Sequence, residues 1–215
     1  MITYKNSETA LKISMILVVS VFILILYSTF LTRSGVLGEA SVHSFTDLGL
    51  SGQLLLYLFF FLIGSIVFIV IRWKEIPTSQ KETSTYSREF WIFIGATVLC
   101  LMGLQVLYPT SYPVFNQISA AFGGSLNMAL PGDQVTYFSK FQLWFAIAIG
   151  ILSAIGQFFW WKKIDKKELK NQLFLPFTIA LLATMVIINV SSVRNIGYAM
   201  LLFSGLFTVI SNGKI

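Results

Sequence analysis

Six long stretches of this chain contain no Asp, Glu, Lys or Arg: 13–31, 50–71, 90–108, 141–161, 173–190 and 196–210. A helix needs about 20 consecutive apolar residues to cross a hydrocarbon core of about 30 Å, and the first five stretches approach or exceed that. The sixth is barely long enough. Inside a bilayer each backbone N–H and C=O must find its partner within the protein, which favours helices over any open strand. Overall, 56% of residues are hydrophobic and 11% charged, a balance that excludes a soluble globular domain. The expected fold is therefore all-α: a polytopic helical membrane protein of about six transmembrane helices, forming a single integral membrane domain over 1–215.

The polar connections give this bundle its direction. The net charge of +6 could suggest nucleic acid, but the cations stand at span ends, where membrane topology explains them better. If 1–12, 72–89, 162–170 and the C-terminal tail share one side, twelve of the fifteen Lys and Arg lie there. Only Arg33, Lys140 and Arg194 lie opposite. By the positive-inside rule both termini are then cytoplasmic, and the loops 32–49, 109–139 and 191–195 are external. Trp73, Trp91, Trp160 and Trp161 fall at the inner interface, and Tyr27, Tyr108, Tyr112 and Tyr137 toward the outer one, as an aromatic belt requires. Trp144 is the tryptophan near the outer surface. A cleaved signal peptide is the rival reading of 13–31, but the run exceeds an h-region of about 7–15 residues, and Arg33 intervenes. A retained span is expected.

Within 109–139, Val114, Phe115, Ile118, Ala121 and Phe122 follow helical spacing, so a short amphipathic external helix is expected on the membrane surface, ended by Gly123-Gly124. Asp165-Lys-Lys-Glu168 has the form of a helix N-cap with a reciprocating Glu. Pro176 then either kinks a helix begun there or marks a fresh start. Cys100 is the single cysteine, so the chain has no Cys-x-x-Cys and no Cys-x-x-Cys-His.

The first external loop holds His43, the single histidine. Its imidazole, with a reference pKa near 6.5, is mostly neutral at pH 7 and binds iron well. A ligand at a membrane edge with Arg33 nearby suits an amphiphilic metal macrocycle such as haem, whose propionates need a cation. A solvated loop histidine is the plain alternative, as an interfacial anchor is for Arg33. Glu39 and Asp47 could orient either residue, or simply solvate the loop.

Residues 28–37 (Ser-Thr-Phe-Leu-Thr-Arg-Ser-Gly-Val-Leu) and 41–45 (Ser-Val-His-Ser-Phe) form an ordered string that resembles the cytochrome c-type biogenesis protein CcmF and its CcsA-like relatives. So do Gly103-Leu-Gln-Val-Leu-Tyr-Pro109 and Tyr137-Phe-Ser-Lys-Phe141. The resemblance implies that His43 is an external axial ligand to haem awaiting attachment to apocytochrome c; it carries over more loosely to Arg33, a candidate partner for a haem propionate, and to Ser34. It implies haem, apocytochrome c, other cytochrome c maturation membrane proteins and the lipid bilayer as partners, with no nucleic acid. The bacterial inner membrane is the expected location, with His43 on the periplasmic side. No catalytic side chain is expected; any haem-lyase action would belong to an assembly.

Two features of that family are absent from these 215 residues: a tryptophan-rich loop ending in Trp-Asp, and two histidines within the membrane. The expectation is a middle or C-terminal portion of a CcmF-like protein, either one piece of a split gene or a truncated product, with transient or weak haem binding. A companion chain would then carry the tryptophan-rich loop. The alternative class is a structural or interaction subunit without haem. A transporter is disfavoured, because no ionisable residue marks an ion route through the spans.

Overall fold

The computed structural model describes residues 11–38, 49–76, 87–159, 164–191 and 193–213. These residues form seven helices: α1 (Leu11–Arg33), α2 (Ser51–Arg72), α3 (Arg88–Thr110), α4 (Tyr112–Ala121), α5 (Gln134–Gly156), α6 (Lys166–Ser191) and α7 (Ile196–Asn212). Among the described residues there is no strand. α1, α2, α3, α5 and α6 are long and apolar enough to cross a membrane, and α7 is a shorter apolar helix of 17 residues. The chain is thus an integral, polytopic helical membrane protein. Large apolar side chains such as Val18, Leu56, Phe60 and Val186 stand exposed along the helices, the arrangement expected where lipid, not water, is the solvent.

The chain divides into two compact units, 1–81 with 111–130 and 82–110 with 131–215. In the first, α1 and α2 pack together. Phe22 meets Phe61 edge-on at 5.2 Å, and Tyr57 meets Phe61 at 4.8 Å. At the far end of the pair, Lys12 Nζ lies 4.6 Å from the centre of the Trp73 ring, a cation–π contact that ties the start of α1 to the end of α2. The short helix α4 belongs to this unit and matches the periodicity read from its sequence. Gly124 N–H donates to Ser119 O and Gly123 N–H to Ala120 O, with Gly123 at φ 76°. That pair of bonds is a Schellman cap, and the left-handed residue inside it is best filled by glycine.

In the second unit, α5 packs on α3 and α7, and α6 on α7. Small residues make the close approaches. A Cβ on Gly150 would come within 3.0 Å of Ser204 Oγ, and one on Gly197 within 2.7 Å of Leu143 Cδ2. Ala154, Ala180 and Phe207 form the buried centre of this unit. With lipid tails as apolar as leucine, van der Waals fit of this kind replaces the hydrophobic effect between membrane helices.

One boundary lies outside the sequence reading, and one alternative left open there is decided. α5 begins at Gln134, ahead of the apolar run at 141, because the Asp133 carboxylate accepts the backbone N–H of Thr136 at 3.0 Å and caps the first turn. α6 starts directly after Asp165 and runs through Pro176 to Ser191 as one helix. Pro176 is fully buried, and its turn is absorbed by packing rather than by a break.

Candidate functional site

The last turn of α1 and the residues after it form the described part of the loop singled out by sequence. Phe30, Leu31 and Ser34 are buried there. Ser34 N–H continues the helix by donating to Phe30 O at 2.9 Å, and Ser34 Oγ accepts Val36 N–H at 3.3 Å. The chain then turns through Gly35 at φ 72° and Gly38 at φ 47°, and enters α2 through Gly49 at φ 78°. All three lie in the left-handed region that L side chains disfavour, so glycine is required at both joints of the loop. His43, Glu39 and Asp47, which lie between those joints, are outside the described residues.

Arg33 is the final residue of α1, where a cation is favoured by the helix macrodipole. α1 and α2 pack against each other and the loop connects the end of one to the start of the other. Arg33 and the loop bearing His43 therefore share one end of the α1–α2 pair. Less than two turns before Arg33, the Tyr27 hydroxyl donates to Ser111 Oγ at 2.7 Å, which holds the start of α4 against α1. Beyond α4 the chain folds back. Asn116 Nδ2 donates to Met128 O at 2.8 Å, and Met128 N–H donates to Asn116 Oδ1 at 2.9 Å. This two-bond clasp was not foreseen from sequence, since an asparagine 12 residues from its partner leaves no periodic trace.

The second unit holds a polar pair within its apolar helices. Gln142 Nε2 on α5 donates to Gln105 Oε1 on α3 at 2.6 Å and approaches Met102 O at 3.5 Å. Gln105 Nε2 and Gln142 Oε1 are buried without a hydrogen-bond partner. Sequence reading passed over both; their signal was an amide side chain within each of two apolar runs. Outside the spans, hydrogen bonds from Thr136, chiefly its side chain and then its backbone N–H, hold the Asp133 carboxyl below its ordinary pKa.

Among the described residues, no group of three or more His, Cys, Asp or Glu stands together as a metal site. Cys100 is exposed on α3. His43, the residue whose chemistry would suit haem iron, lies outside the described residues, and Arg33 closes α1.

A polytopic helical membrane protein is the class so defined. No family model matches the chain, and no solved structure does so significantly. Curated proteins do match. The chain is 26% identical over 174 residues to the cytochrome c-type biogenesis protein CcmF of Escherichia coli, a match covering 81% of this chain and 26% of that protein. It is 27% identical over 160 residues to CcmF of Pseudomonas aeruginosa, covering 74% and 23% respectively. It is 26% identical over 185 residues to the cytochrome c-type biogenesis protein ccl1 of Rhodobacter capsulatus, covering 85% and 27%. The chain is CcmF-like, and it spans about a quarter of the length of these relatives.

Proposed function

We propose that this chain serves cytochrome c maturation, presenting His43 at the periplasmic surface of the inner membrane as an axial ligand to haem that awaits attachment to apocytochrome c. The observation that carries the reading is the similarity, over most of the chain, to proteins named for cytochrome c biogenesis. The asymmetry of cations supports the orientation. Gly38 and Gly49, both at positive φ, bracket the segment that carries His43.

In this mechanism His43 would hold the haem iron through an imidazole nitrogen. Arg33, always charged, pairs with a propionate and fixes the orientation of the ring. Haem supplies the redox chemistry when bound. The α1–α2 pair would carry the loop that bears this ligand, and apocytochrome and the remaining proteins of the maturation assembly would meet the haem there.

The test is a His43→Ala variant in the complete maturation assembly, read by Soret absorbance of the purified complex and by covalent haem on cytochrome c. Loss of both is expected, and Arg33→Gln should weaken haem retention without abolishing it. An unchanged spectrum and normal maturation in His43→Ala would overturn the ligand role. Retention of protein partners in cells that make no haem, alongside that result, would instead favour a structural subunit.

A further inference from the structure

Within the second unit α5 and α6 both pack on α7, and a groove of about 520 Å³ lies among the three helices. Ile151 and Ile155 line it from α5, Leu173 and Phe177 from α6, and Phe203 and Phe207 from α7. Phe177 meets Phe203 edge-on at 5.4 Å and Phe207 at 5.9 Å, and Phe203 stacks on Phe207 at 5.7 Å. Phe207 is buried, so the three rings fix one another and the apolar part is formed before any ligand arrives. A cleft of this volume between the helices of a bundle is of the size that takes a small amphiphile.

One end of this groove is charged. Lys170, in the second turn of α6, lines it about 10 Å before Phe177, at 1.5 Å per residue. Among the described residues Lys170 has neither a hydrogen bond nor an ion pair of its side chain. Lys166 lines the groove too but has an interaction of its own, so the charge on offer is that of Lys170. The Glu168 carboxylate accepts Gln172 Nε2 at 3.3 Å, and it stands two positions from Lys170, a helical spacing at which side chains do not face each other. Neither Glu168 nor Asp165 lines the groove. Phe174 does, and it is 66% exposed, so the groove opens on a face of α6 that lipid would cover. A cation at the mouth of an apolar slot matches a molecule with an anionic head and a hydrocarbon tail.

We propose that this groove binds one anionic phospholipid, with its phosphate paired to Lys170 and an acyl chain laid along Leu173, Phe174 and Phe177 against the rings of α7. The position of the cation favours a lipid. Lys170 closes the lysine-rich segment 162–170 and precedes the apolar run at 173, which is the level of the headgroups. Basic recesses between membrane helices on the cytoplasmic side are suited to anionic headgroups, and the cation asymmetry of the chain puts Lys170 on that side. The site lies wholly within the second unit and stands whether or not His43 is a haem ligand.

Lys167 supplies the control, because it is an exposed cation of the same helix that does not line the groove. The full chain, purified and stripped of lipid, is titrated with phosphatidylglycerol, with phosphatidylcholine of the same acyl chains, with oleate and with inorganic phosphate. Binding is read by native mass spectrometry and by Tm. One phosphatidylglycerol per chain is expected, with a rise in Tm and a clear preference over phosphatidylcholine. Lys170→Gln should weaken phosphatidylglycerol at least fivefold and erase that preference, while Lys167→Gln binds as the wild type does. Phe174→Ala, at an exposed position that the fold does not need, should weaken both lipids alike. Equal binding of the two lipids by the wild type, or equal losses in Lys167→Gln and Lys170→Gln, would reduce the effect to diffuse charge and overturn the proposal. So would a full Tm shift from oleate or inorganic phosphate alone.

Discussion

The Tyr27 hydroxyl of α1 donates to Ser111 Oγ at 2.7 Å, joining residues 84 positions apart. It pins the short helix α4 to α1 less than two turns from Arg33. A hydrogen bond of this kind contributes about 0.5–1.5 kcal/mol. Tyr27→Phe should therefore speed amide hydrogen exchange in α4 by about 2- to 12-fold, leaving α1 unchanged. Exchange in α4 at the wild-type rate would show that the helix is held by other contacts.

The amide pair Gln105–Gln142 predicts an asymmetric mutational response. Gln142→Leu leaves Gln105 buried with its donor and acceptor both unsatisfied, at a cost of about 1–3 kcal/mol. Removing both amides by Gln105→Leu with Gln142→Leu eliminates the orphaned groups. The double variant should regain most of the loss, and unfolding in mixed detergent measures it. Additive losses would mean that the two side chains do not act as a pair.

At the α5–α7 seam, Thr208 Oγ lies 2.7 Å from Gly150 O and 2.8 Å from Ser204 O, so one hydroxyl hydrogen is shared between its own helix and the next. Thr208→Val should cost about 0.6 kcal/mol, the usual worth of a hydrogen bond between membrane helices. Gly150→Leu should cost more, about 1–3 kcal/mol, since a side chain there drives into Ser204. If Gly150→Leu matched the wild type in detergent unfolding, the helices would not approach as closely as described.

The cap at Asp133 carries a pH dependence. Its folded pKa is lowered by Thr136, so its contribution is present above the ordinary carboxyl pKa and is lost as pH falls through the folded value. The first turn of α5 should therefore fray in acid and be intact at neutral pH. Asp133→Asn, which keeps an accepting oxygen, should remove the pH dependence while leaving the cap. Hydrogen exchange at Thr136 between neutral and acidic pH reads this directly, and a dependence unchanged in Asp133→Asn would assign it elsewhere.

The apolar runs by themselves determined that this chain forms membrane helices, because a charge-free stretch of that length has few other stable states in lipid. The spacing of Val114, Phe115 and Ile118 and the glycines after Phe122 likewise specified α4 and its end, both being local properties of a helix. The ordered string around Arg33 carried the likeness to the CcmF proteins. None of these required knowledge of distant neighbours.

Tertiary structure alone decided which residues meet. Tyr27 with Ser111, Gln105 with Gln142, and Thr208 with Gly150 pair across 84, 37 and 58 positions, and no local pattern encodes such partners. It also decided that α6 continues through Pro176, where packing outweighs backbone preference. Hydropathy is a sum over neighbours in the chain, whereas helix contact depends on the shapes brought together when the chain folds. That is why the spans were readable in advance and their seams were not.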